Sequence, residues 1–246
     1  MQESPIEKLN KQFDILATQG KDYIIRDYIT PKIVDKTITW KNEVKQNPLE
    51  RSMKAQKYFN FCQQYIAFFR SKSYQFLFND YSLGRFSYEF DEDNLLVSYN
   101  LYWCPCPLSK DFIDEIEQNG LDVSDYIDNI QNKEKIELDH IILRSPIRFD
   151  YIREYNDKNI QFHPYFHMHF QEKDTRAKTE KIFSLYSYML FILENCYPEI
   201  YRDKRYGEKI ESIRKLETET LPWFKLVKNS RNIEIAKKIH TKIVLN

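Results

Sequence analysis

The spacing of apolar positions changes along the chain, and each change predicts a new element. Ser4-Pro5-Ile6-Glu7 has the form of a capping box with proline at the first helical position. Ile6, Leu9, Phe13 and Leu16 follow at helical spacing and predict a first helix. Asn47-Pro48-Leu49-Glu50 repeats the start signal before Met53, Tyr58, Phe61, Cys62, Tyr65, Phe68 and Phe69, a broad stripe that predicts a longer second helix. Between them, Lys32 to Val44 mixes charged and β-branched residues without a clear period and carries no assignment.

From Tyr74 the period becomes two. Phe86, Tyr88 and Phe90 alternate with Arg85, Ser87 and Glu89, Asp91 to Asn94 reads as a turn, and Leu95, Val97, Tyr99, Leu101 and Trp103 alternate on the return. Cys104-Pro105-Cys106-Pro107 ends that hairpin, because two prolines remove ladder donors. Short helices are expected over Ser109 to Gln118, closed by Gly120, and over Asp122 to Asn132. Ile136 to Ile152 reads as a strand and Ile160 to Phe170 as its antiparallel partner, joined by Glu154 to Asn159. An apolar helix follows over Glu180 to Cys196, and Gly207 to Asn246 offers one or two amphipathic helices.

With no internal repeat and no low-complexity linker, this order predicts one α+β domain over residues 1–246. It comprises a helical part (1–72), a sheet (73–170) with a helical insert (109–132), and a helical part (171–246). The sheet is antiparallel, built from two hairpins and flanked by N-terminal, middle and C-terminal helices.

Composition narrows the function classes. Thirty-seven basic residues balance thirty-seven acidic ones, so no global field draws in nucleic acid, and any phosphate site must be local. Only four glycines occur, none at P-loop or dinucleotide-fold spacing. Four scattered cysteines make no disulfide framework, and Cys104-x-Cys106 is too closely spaced, without a second pair, for a structural zinc site. No apolar run approaches a membrane span, so the expectation is a cytoplasmic protein without membrane contact. The lysines of the C-terminal tail are diluted by glutamates and read as a solvated helix face.

The chemistry concentrates in Ser145 to Phe170, which holds three of the five histidines. On extended strands Arg148 and Asp150 share one face, and His163, His167 and His169 share another. His167-x-His169 suits one divalent transition metal (iron, manganese or zinc), with Asp150 or His163 as third ligand. Without metal, the same imidazoles suit general acid–base cleavage of a phosphodiester, with Arg148 on the phosphate. The structural alternative is an Arg148–Asp150 ion pair with histidines bonded to tyrosine hydroxyls. The eighteen tyrosines also suit a non-catalytic subunit that docks on a protein partner.

Three segments resemble an uncharacterised bacterial family known only as a domain of unknown function: Tyr81 to Pro107, Leu143 to His169 (LRSPIRFDY, then HPYFHMH), and Phe191 to Tyr197 (FILENCY). The family's short basic segment ending in proline differs here, since Gln171 to Lys178 is QEKDTRAK. The family is loosely similar to toxin-like proteins of toxin–antitoxin and phage-defence systems. The resemblance implies a defence or toxin-like setting and a protein partner encoded nearby. From the residues, the expectation is nuclease or phosphodiesterase chemistry on RNA or a nucleotide, carried by His167, His169, Arg148, Asp150 and His163.

Overall fold

The structure is a computed structural model, described here over residues 3–42, 61–128, 138–142, 144–153, 166–170, 176–178 and 182–220. The expected capping box opens α1 (Pro5–Gly20): the Ser4 hydroxyl accepts from the Glu7 amide, and the Glu7 carboxylate accepts from the Ser4 amide at 2.7 Å. Its apolar stripe, Ile6, Leu9, Phe13, Leu16 and Ala17, is buried. There follow β1 (Ile25–Tyr28), β2 (Lys32–Val34), β3 (Thr37–Thr39), α2 (Phe61–Arg70), β4 (Phe76–Phe78), β5 (Leu83–Phe90) and β6 (Leu96–Cys104). Then come α3 (Lys110–Gln118), α4 (Val123–Asp128), β7 (Ile147–Ile152), β8 (Phe166–Phe170), β9 (Arg176–Lys178), α5 (Leu185–Cys196), α6 (Pro198–Arg202) and α7 (Gly207–Thr220).

The strands form one antiparallel sheet in the order β1-β4-β5-β6-β7-β8-β9. β3 pairs with the far end of the β5 flank that β4 also uses, and β2 pairs with β3. The α+β class holds, and the sheet is wider than its two expected hairpins.

Alternation sorts the side chains into two layers. On one face Phe86, Tyr88, Tyr99, Leu101, Trp103, Ile147, Phe149 and Tyr151 pack against α1, α5 and α7. There the Leu185 amide donates to Gln12 Oε1 at 3.2 Å, tying α1 to α5 across 173 positions of sequence. On the other face Tyr65, Phe68, Phe112, Ile113 and Ile127 of α2–α4 pack on Leu83, Tyr102 and Cys104. Beyond that second core the same face turns polar, through Ser87, Glu89, Ser98, Asn100, Arg148 and Asp150.

Several boundaries differ from the sequence expectation. The unassigned stretch from Lys32 supplies β2 and β3. The strand expected from Ile136 begins only at Ile147; Leu138–His140 is a 3-10 turn, and Ile141 bridges Leu108 instead. Pro146, with no amide hydrogen to donate, sits just before the ladder starts. The helix expected from Glu180 starts at Leu185, where the Ser184 hydroxyl caps it by accepting from the Ser187 amide. The start signal at Asn47 and the joining loop Glu154 to Asn159 lie outside the described residues.

Candidate functional site

Ile147, Phe149 and Tyr151 enter the first core, and this forces Arg148 and Asp150 onto the opposite, polar face. Strand pairing then fixes their neighbours. Arg148 stands opposite Tyr102 of β6 and His169 of β8; Asp150 stands opposite Asn100 and His167. β9 adds Arg176 opposite His169 and Lys178 opposite His167.

Two rows therefore cross the sheet. One runs Arg85–Tyr102–Arg148–His169–Arg176 and the next Ser87–Asn100–Asp150–His167–Lys178. Directly opposed residues share a face, so His169 lies on the face of Arg148 and Asp150, and the expectation that it occupies a different one is corrected. His163 lies outside the described residues.

Asp150 is the centre of the cluster. Its Oδ1 accepts from Asn100 Nδ2 at 2.6 Å, and its Oδ2 accepts from Arg148 Nε at 2.7 Å. His169 Nε2 lies 3.1 Å from the same Oδ2. Side-chain exposure is graded: 40% for Arg148, 16% for Asp150 and 8% for His169. The guanidinium is thus the member presented to solvent, with the carboxylate behind it and the His169 ring deeper still.

This geometry bears on the metal alternative. A guanidinium already sits against the Asp150 carboxylate, in the place a cation would take, and Asn100 holds the other oxygen. Among the described residues, no three His, Cys, Asp or Glu side chains converge as a metal site. Cys104 and Cys106 are buried free thiols whose acidity burial weakens, to a pKa of about 12 for each.

A second polar network was not foreseen from the sequence. Asp80 Oδ2 accepts from Arg144 Nη1 at 2.7 Å, and its Oδ1 accepts from the Tyr197 hydroxyl at 2.8 Å. Arg144 Nη2 also donates to Ser82 Oγ and to the Cys106 carbonyl, each at 3.2 Å. Burial opposes the Arg144 charge, yet Asp80 beside it outweighs that and holds its pKa above the ordinary arginine value. Ser82, Cys106, Arg144 and Tyr197 come from the three segments that carry the family resemblance, so those segments meet in space.

The sheet with its polar rows defines an α+β protein with one helix-covered face and one partly open face. The chain belongs to the family described as uncharacterized conserved protein (DUF2290), whose model matches residues 24–243. No curated protein and no solved structure matches it. The matched span contains both the polar rows and the Asp80 network.

Proposed function

We propose that the open polar face binds and cleaves a phosphodiester, with RNA as the substrate class. The carrying observation is that one carboxylate, Asp150, contacts both a solvent-facing guanidinium and an imidazole. Arg148 neutralises the phosphate and the charge that builds up during displacement. Asp150 and His169 form the supporting pair, fixing the Arg148 fork; with its slight exposure, His169 is a positioning residue. His167, opposite Asp150 in the next row, supplies the acid–base imidazole, and Arg176 and Lys178 add cationic positions along the sheet edge. The likeness to toxin-like proteins supports a setting in which unchecked activity harms the cell and a neighbouring protein restrains it.

The test is cleavage of a labelled single-stranded RNA by the purified full chain, with Arg148→Gln and His167→Ala as controls. Loss of cleavage in both, with unchanged melting, supports the reading. Cleavage retained in both removes it.

A second reading, a non-catalytic subunit of a complex, rests on the outer strand β2, where Ile33 and Val34 are 48% and 44% exposed. Ile33→Lys would then abolish association with the neighbouring gene product, and Arg148→Gln would not.

A further inference from the structure

A cleft of about 500 Å³ opens where the C-terminal end of α2 meets β1 and β4. Its lining combines three cations, Arg26, Arg70 and Lys72, with the rings of Phe69, Tyr74 and Tyr81. One carboxylate, Asp27, also lines it. The volume is in the range of small-molecule sites, and an aromatic floor under a cationic rim suits a flat body bearing an anion.

Two backbone features point to the same place. Lys72 and Tyr81 both adopt left-handed conformations, with φ of 51° and 61°. The other two non-glycine residues there, Asp35 and Asn94, are types that tolerate this region, whereas Lys and Tyr are not. Lys72 closes α2 in a Schellman-type cap, its amide donating to the Phe69 carbonyl at 3.0 Å while the Ser73 amide reaches Phe68 at 2.9 Å. Glycine is the usual residue there; lysine places an exposed ammonium on the cleft rim instead. Arg26, also in the lining, lies 4.3 Å over the Tyr81 ring and is held by Glu117 at 2.5 Å.

We propose that this cleft binds a base-plus-phosphate unit, the phosphate at Lys72 and Arg26 and the base over Phe69, Tyr74 and Leu77, with Asp27 placed to accept from a base or sugar donor. The inference stands on its own geometry and does not require catalysis at the polar rows. The source of the unit is a free nucleotide or one nucleotide of a single strand.

The experiment titrates the full chain with AMP, inorganic phosphate and a single-stranded RNA decamer, comparing Lys72→Asn, Arg26→Gln and Arg148→Gln. Asparagine tolerates the left-handed backbone, so Lys72→Asn removes the charge without disturbing the cap. AMP binding that weakens about tenfold in Lys72→Asn and Arg26→Gln and is unchanged in Arg148→Gln, or decamer binding that weakens about tenfold in both cleft variants, supports the proposal. AMP binding identifies a nucleotide site; decamer binding alone identifies a strand site. Equal affinity for inorganic phosphate and AMP, no binding of either ligand, or binding that survives both cleft variants overturns it. Binding lost only in Arg148→Gln overturns it too and assigns the ligand to the polar rows.

Discussion

Asp80 and Arg144, 64 residues apart in sequence, meet at 2.7 Å and join the β4–β5 turn to the segment that leads into β7. Asp80 also accepts from the Ser82 amide and hydroxyl at 3.0 Å, so its acceptor positions are filled. Asp80→Ala leaves Arg144 and the Tyr197 hydroxyl without their acceptor. The expected cost is about 3 kcal/mol, reduced from the fully buried range because a third of the Arg144 side chain meets solvent, and urea unfolding measures it.

Arg148 and His169 oppose each other on β7 and β8 but differ in what they support. Arg148→Gln is expected to abolish RNA cleavage and to shift the melting temperature by less than about 2 °C, since its side chain is 40% exposed. His169→Gln should lower cleavage and cost the fold about 1 kcal/mol, because that ring is nearly buried against Asp150. Calorimetry beside the cleavage assay separates the two.

Part of this site is readable from local pattern and part is not. That Arg148 and Asp150 share a face follows from their spacing of two between Ile147, Phe149 and Tyr151. Which face of the sheet His169 joins depends on register, and the register is set by pairing across residues that carry no periodic signal. The Asp80 network is still less visible, since the Tyr197 hydroxyl arrives from 117 positions away. Among the strands, β5 and β6 are legible because apolar residues recur at every second position, at Phe86, Tyr88 and Phe90 and again at Tyr99, Leu101 and Trp103. β2 and β3, at three residues each, are too short to show a period.

The buried thiols give a pH prediction. Cys104, Cys106 and Cys196 have ordinary values of 9.0 that burial pushes up to about 12. Below the unfolded value both states hold the proton and the contribution to stability is complete; as pH rises from about 9 to about 12 the unfolded chain ionises first and stability falls. Melting should drop steadily over that window. At pH 8, Ellman's reagent should leave Cys104 and Cys106 unmodified until denaturant is added. Rapid native reaction at either would contradict their burial.

Arg85 is a cation in the wrong solvent. It lies 3.7 Å over Phe68 and 4.2 Å over Trp40, donates to Ser73 Oγ at 3.0 Å, and pairs with no carboxylate among the described residues. Burial pulls its pKa down to about 10. Replacement by a flat-packing apolar chain, Arg85→Met, should therefore be neutral or stabilising by about 1 kcal/mol in urea, whereas Arg85→Glu should prevent folding.

The bond between Gln12 and the start of α5 has a meaning for synthesis. Gln12 of α1 precedes Leu185 by 173 residues, so α1 leaves the ribosome well before α5, while β4 to β7 emerge and pair with their near neighbours. Phe13 can meet Phe76 and Phe86 once β4 and β5 are made, whereas the Gln12 side of α1 is completed only by α5. Until α5 arrives, the side of α1 that faces it is a natural target for a chaperone that holds nascent apolar helices.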